Sequence, residues 1–275
     1  MKEKEFHIIN VGVSIVINFQ KSPEGSEIKN VKLSDNETWE KCLDDRNLMN
    51  KFYEFVKKEP KRNSAELNAF LRKIENSKNK IEVYFTGTKT PINEICVRTL
   101  ERFMKEMGFT VYTTKEFPGY FLPIFYGKNR VEEFKKGISE MLDHLIKLAK
   151  KKKEDGYEVY FNPTGGFKAH VIACALAGFI TNCEVYYINE EFNELIIFPP
   201  LFYIPKNKEI ELLERLKKDK KPKRGKELND LLQNYEEEID HLNRFGLLEL
   251  EINEASQIYG IKITSKGCEI LEKLK

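Results

Sequence analysis

Residues 157–168 read YEVYFNPTGGFK, and the whole chain can be organised around them. Residues 157–161 form a short aromatic and β-branched run with the signature of a strand, and 169–180 form a small-residue apolar run with that of a deeply packed helix. Between them Asn162-Pro-Thr-Gly-Gly-Phe-Lys168 makes a strand-to-helix turn, the place where open α/β sheets put ligands. Consecutive glycines, Gly165 and Gly166, let backbone N–H groups approach an anion with no Cβ in the way. Lys168, in the first turn of the helix, adds a mobile charge beside the positive end of the helix dipole. The combination suits an anionic phosphodiester. The GxxxxGK[ST] spacing of an NTPase loop is absent, so triphosphate hydrolysis is not indicated. A plain strand-to-helix turn with a surface lysine is the simpler alternative.

Working outward, residues 6–11 form an apolar strand ending at Gly12, and 13–19 either continue it or open a helix. Residues 36–58 read as one amphipathic helix stopped by Pro60, and Ser64-Ala-Glu-Leu opens another, capped at Asn63 or Ser64. A strand at 81–86 ends in Gly87, followed by a helix at 93–107 and a strand at 109–113. Residues 115–127, rich in Pro, Gly and aromatics, read as a structured loop, and 130–153 as a long helix. Strands at 184–188 and 194–198 form an antiparallel hairpin. Alternating strands and helices predict a Rossmann-like, doubly wound α/β domain with a mostly parallel sheet over 1–205. Beyond the prolines at 199, 200 and 205 the rhythm becomes helix–helix–helix–strand–strand–helix, the pattern of a winged helix-turn-helix domain over 206–275.

Composition narrows the function classes. The 275 residues suffice for one large domain or two unequal ones, and 19 Phe with 12 Tyr supply a core. Lys+Arg 46 against Asp+Glu 44 gives a net charge of +2, so any phosphate or nucleic-acid site must be local. Only nine of the basic residues are Arg, a Lys/Glu-rich bias that thermophile proteins and AT-rich genomes share. The five cysteines (42, 96, 174, 183 and 268) follow no CxxC spacing, which argues against a zinc site or a disulfide framework and for a reducing cytoplasm. The N-terminus lacks the pattern of a signal peptide, and no apolar stretch is long enough to span a membrane.

In a parallel sheet the turns that follow successive strands emerge on one edge. Gly12-Val13-Ser14 follows the first strand and Thr86-Gly87-Thr88 another, so both should lie beside Asn162–Lys168, with Ser14 near Lys168. The candidate ligand contacts are therefore Gly12, Val13, Thr86, Gly87, Thr88, Asn162, Thr164, Gly165, Gly166 and Phe167. Lys128 and Arg130, at the start of the long helix, would reach ligand phosphates, although a solvated helix start explains them equally well. Tyr120, Phe121, Phe125 and Tyr126 offer stacking surfaces or plain packing. His170, two residues past Lys168, reads mainly as a packing residue.

Strand–Gly12–x–Ser14, Ser64-Ala-Glu-Leu-Asn68 and Asn162-x-Thr-Gly-Gly-x-Lys168 together resemble a CARF domain, the sensor of cyclic oligoadenylates in type III CRISPR systems, over about 1–205. A CARF domain with a short winged-helix tail and no fused toxin is similar to the stand-alone ring nucleases. That resemblance implies a cytoplasmic homodimer that cuts cyclic tetra-adenylate without metal or cofactor, the ring held across the two-fold axis. It implies Ser14 and Lys168 as the catalytic pair. A ribose 2′-OH would attack its own 3′ phosphodiester and leave a 2′,3′-cyclic phosphate and a 5′-OH. Ser14 would orient the ribose and Lys168 would stabilise the developing charge.

No Arg precedes any of the four histidines at the spacing of the HEPN ribonucleases, and no Asp…Glu-x-Lys nuclease core is apparent. The main rival is a non-cleaving cyclic-oligoadenylate sensor that regulates transcription through its winged helix; a general nucleotide-binding α/β protein is a third reading. Residues 234–245, the recognition-helix position, carry a net −3, the wrong sign for facing DNA phosphates. The basic stretch 217–226 reads as a solvated hinge.

Overall fold

In the computed structural model, which describes residues 4–112, 130–189, 191–198, 203–218 and 221–274, six strands build one sheet: β1 (Lys4–Asn10), β2 (Lys80–Thr86), β3 (Thr110–Tyr112), β4 (Tyr157–Asn162), β5 (Glu184–Asn189) and β6 (Glu194–Phe198). Their order is β3-β2-β1-β4-β5-β6, parallel throughout except for the β5–β6 hairpin. The mostly parallel, Rossmann-like sheet expected from the alternation is present. It belongs to the first of two compact units, Met1–Phe198, and Pro199–Lys275 forms the second.

Burial on both faces explains why the strands read as continuous apolar runs. Successive side chains of β1 point to opposite faces. Phe6 and Ile8 join Met141, Leu145 and Ala149 of α7 (Arg130–Glu154) and Ala173, Cys174 and Ala177 of α8 (Lys168–Ile180). Ile9 joins the opposite layer, where α1 (Ser14–Lys21), α2 (Asn36–Asp44), α3 (Arg46–Lys58), α5 (Ala65–Lys73) and α6 (Pro91–Glu106) pack around Phe19, Trp39, Phe52, Phe70 and Phe85. The short α4 (Pro60–Asn63) links α3 to α5.

The structure settles one open reading and corrects another. The ambiguous residues 13–19 are helical from Ser14 onward. The single helix read over 36–58 is two helices. Asp45 interrupts it, its carboxylate accepting the N–H groups of Asn47 (2.8 Å) and Leu48 (3.1 Å) and so starting a new helix with a strong cap. The aromatic loop at 115–127, with Tyr120, Phe121, Phe125 and Tyr126, lies outside the described residues, as does Lys128. Arg130 is placed as the first residue of α7, with its side chain undescribed.

The second unit follows the expected order: α9 (Asn207–Lys217), α10 (Gly225–Asn234), α11 (Glu236–Arg244), β7 (Leu248–Ile252), β8 (Ile258–Ile263) and α12 (Ser265–Lys273). Leu212, Leu213, Leu231, Leu242, Leu247, Ile261 and Leu271 form its core. The basic stretch is not wholly a free hinge, because Lys223 N–H donates to Ile261 C=O (2.8 Å) and makes a bridge onto β8. Among the described residues no helix is long and apolar enough to cross a membrane, and no group of His, Cys, Asp and Glu is arranged to hold a metal ion.

Candidate functional site

From β1 the chain moves to β2 on one side and later returns to β4 on the other, so the sheet changes direction at the β1–β4 boundary. Ligands bind outside the carboxyl ends of strands at such a point. Register levels three strand ends there: Asn10 pairs across from Thr86, and Ile9 from Asn162.

The turns leaving these strands are stitched to one another. Val11 N–H donates to Thr86 C=O (2.7 Å), and Asn10 Nδ2 donates to Gly165 C=O. Gly166 has φ +104°, a conformation that glycine adopts without a steric penalty. A Cβ on Gly12 would run into the backbone of Gly165 and Gly166, so the β1 and β4 turns approach this closely only because glycine stands at 12. Asn162 shapes its own turn, Oδ1 accepting from Thr164 N–H (3.1 Å) and Oγ1–H (2.6 Å). Its Nδ2 reaches Glu66 C=O (3.2 Å).

Two side chains that carried no role in the sequence reading hold this arrangement. Asn93 Nδ2 donates to Val11 C=O (2.8 Å) and Gly12 C=O (3.2 Å), while its Oδ1 accepts from Thr88 N–H (3.0 Å), so it ties the β2 turn to the β1 turn. Glu66, in the first turn of α5, is only 1% exposed. Its Oε1 accepts from Gly12 N–H (2.8 Å); its Oε2 accepts from the hydroxyls of Ser14 (2.7 Å) and Ser64 (2.8 Å). A Cβ on Gly165 would also collide with this carboxylate. A local signal for Glu66 existed: it precedes buried Phe70 by four residues and so shares the apolar face of α5.

The candidate residues divide by exposure. Thr86, Thr88 and Asn162 are buried, and Gly87 packs beneath Asn93, so these shape the turns from below. Val13, Ser14, Thr164 and Phe167 are half-buried, and Gly166 and Lys168 are exposed. Lys168 opens α8, whose N-terminus has neither a capping side chain nor an acidic residue in its first turn. Among the described residues no carboxylate pairs with the Lys168 ammonium. The β1 and β4 turns bring Ser14 and Lys168 to the same edge of the sheet, and their side chains make no hydrogen bond with each other. His170 is buried, its Nδ1 has no hydrogen-bond partner among the described residues, and burial pulls its pKa below the ordinary 6.5.

Residues 61–201 match the family model described as CRISPR-associated protein (Cas_APE2256). The matched segment contains Glu66, the β2 turn and the whole Asn162–Lys168 turn, and begins after Gly12 and Ser14. Among solved structures, that of protein VC1899 from Vibrio cholerae aligns with 98% of this chain at 11% identity and a TM-score of 0.38. The chain spans 66% of that protein.

Proposed function

Because the chain belongs to the CRISPR-associated protein family Cas_APE2256, we propose that its first unit is a CARF domain acting as a metal-independent ring nuclease on cyclic oligoadenylate, cyclic tetra-adenylate first. The observation that carries this reading is the edge where the Gly165–Gly166 turn lies against Gly12 and where Lys168, with no carboxylate partner among the described residues, opens α8. Exposed Gly166 admits a phosphate to the backbone, and the open helix end and the lysine supply positive potential. In the reaction the ribose 2′-oxygen forms a bond to its own 3′ phosphorus as the bond from phosphorus to the 5′-oxygen breaks. The 2′-OH loses a proton and the 5′-oxygen gains one. The protein holds the three atoms in line, an orientation effect. Lys168 stabilises charge building on the phosphoryl and leaving oxygens.

A ring with two-fold symmetry calls for two copies of the site. Ile172, Leu176 and Ile180, four residues apart along α8, are exposed apolar residues that a second copy would cover.

Incubation with cyclic tetra- and hexa-adenylate in EDTA, read by mass spectrometry, tests the reading. The expected product is linear di-adenylate ending in a 2′,3′-cyclic phosphate, formed about 10²–10³-fold more slowly by Lys168→Ala. A ring bound tightly and left intact would overturn it in favour of a sensor. The order of elements in the second unit supports that rival, since it suits a winged helix. Glu236, Glu237 and Glu238 in the first turn of α11 weigh against DNA contact there.

A further inference from the structure

We propose that Glu66 is a positioning residue for the cleavage step: it fixes the Ser14 hydroxyl as a hydrogen-bond acceptor toward the ribose 2′-OH and takes the proton that Ser14 passes on. This rests on the ring-nuclease reading and adds to it the proton acceptor that reading lacks. The direction of the hydrogen bonds carries the argument. A serine hydroxyl has one proton to donate and two lone pairs. Ser14 donates its proton to Glu66 Oε2 (2.7 Å) and accepts from Ala65 N–H (3.2 Å). One lone pair remains, on a half-buried side chain beside the glycine turns. Bound this way, Ser14 has nothing to donate to a phosphate and one site left for a donor, which a ribose hydroxyl supplies.

Glu66 is held for the same task. Ser64 Oγ–H donates to the same Oε2 (2.8 Å) while accepting from Leu67 N–H (3.2 Å) as the cap of α5. Gly12 N–H occupies Oε1 (2.8 Å). The carboxylate is thus an acceptor on every side, fixed in a buried place where its rotamer cannot drift. As the 2′-oxygen closes on phosphorus, its proton moves to Ser14 Oγ and the Ser14 proton moves to Glu66 Oε2. The 5′-oxygen leaves with a proton from the Lys168 ammonium; solvent reprotonates the lysine and takes the proton from Glu66.

Glu66→Gln tests the polarity directly. The amide oxygen still accepts from Gly12, but the amide nitrogen now donates to Ser14, turning the serine's proton out toward the ligand. Single-turnover cleavage of cyclic tetra-adenylate should fall about 10²-fold, within the range of lost proton transfer. Ring affinity measured by calorimetry should stay within about threefold, because the loss is confined to the reaction step. Ser14→Ala should match it, and the double variant should be no slower than either single one. In wild-type protein the rate in mixtures of H2O and D2O should curve with deuterium fraction, as the three protons in flight (2′-OH to Ser14, Ser14 to Glu66, Lys168 to the 5′-oxygen) require. Cleavage by Glu66→Gln at the wild-type rate, a double variant showing the product of both losses, or a straight line in the isotope mixtures would each overturn the inference and leave the ring-nuclease reading standing. If Glu66→Gln does not fold, Ser14→Ala decides: cleavage by that variant at the wild-type rate overturns the inference. A wild-type protein that binds but does not cut the ring ends both.

Discussion

Gly12→Ala probes the contact on which the candidate site depends. A Cβ built on Gly12 lies 2.3 Å from Gly166 N, 3.1 Å from Gly166 Cα and 3.2 Å from Gly165 C. All three are backbone atoms, so no rotamer change relieves the overlap. Gly12 does not occupy the left-handed region, so alanine brings no backbone strain and the effect is steric alone. Ordinary carbon contacts begin near ~3.5 Å, so the β1 and β4 turns must part by about an ångström. Overpacking of that kind costs about 1–3 kcal/mol. Lengthening the Gly12 N–H bond to the Glu66 carboxylate adds to it, because hydrogen bonds to charged groups contribute about 1.5–3 kcal/mol. Urea unfolding of the full chain should therefore show a loss of about 2–4 kcal/mol in the transition that reports the sheet. Calorimetry with cyclic tetra-adenylate should show weakened binding in the same variant. A Gly12→Ala protein within about 0.5 kcal/mol of wild type, the ordinary scatter of surface substitutions, and with unchanged ring affinity would refute the claim that these turns meet through glycine.

Two further outcomes follow from other parts of the first unit. Acid should unfold it in stages. Burial keeps His7 below its ordinary 6.5, so the unfolded chain takes that proton first and stability declines as pH falls through 6.5. Hydrogen bonds from His7, Ser77 and Asn79 hold Glu5 near 2; burial would raise Glu82, but Tyr157, Lys152, Lys80 and Tyr112 outweigh it and hold that carboxyl near 2 as well. Both depressed carboxylates stabilise the fold above the unfolded value of 4.5 and lose that contribution as pH falls toward 2, about 3 kcal/mol each. Urea midpoints measured from pH 7 to 3 should fall throughout, and less steeply below 4.5 in Glu82→Gln, which keeps the Glu5 contribution; a level profile in wild-type protein would contradict the pairing. If the proposed dimer forms through the exposed stripe of α8, Leu176→Lys should convert it to a monomer in sedimentation while leaving the circular dichroism spectrum unchanged. An unchanged dimer would place the second copy elsewhere.

Much of the fold was legible because it rests on local patterns. β1 and β4 are buried on both faces and read as apolar runs, and α8 reads as packed because Gly178 meets Val185 and Phe161 with no side chain between. The break at Asp45 was hidden because Leu48, Phe52 and Phe55 continue the apolar stripe begun by Trp39. A hydrophobic period cannot register a cap that changes the chain's direction without changing its inward face. The glycine turns and Lys168 were legible as a candidate site, since one turn holds two glycines, a lysine and the start of a helix. The hydrogen-bond roles of Glu66 and Asn93 were not: Glu66 meets Ser14 across 52 positions and Asn93 meets Val11 across 82. Such hydrogen bonds exist only once the sheet has formed.

The two ends of the sheet carry buried polar groups in different ways, and the difference bears on which end is the candidate ligand end. At the start of β1 and β2, Glu5, His7 and Glu82 find partners for their polar atoms, and Tyr186 O–H donates to His7 Nδ1 (3.0 Å) while His7 Nε2–H donates to Glu5 (3.1 Å). A network satisfied in this way stabilises and specifies a fold. At the other end, among the described residues, Asn10 Oδ1, Thr86 Oγ1 and His170 Nδ1 are buried without partners, Gly166 has φ +104°, and the buried Glu66 carboxylate accepts from Gly12 N–H and from the hydroxyls of Ser14 and Ser64. Each orphaned polar atom costs about 1–3 kcal/mol. An edge selected for stability alone would satisfy these atoms or replace them with apolar side chains. Departures of this kind cluster at functional sites. They therefore favour the glycine-turn edge as the ligand end, on grounds independent of the Lys168 charge.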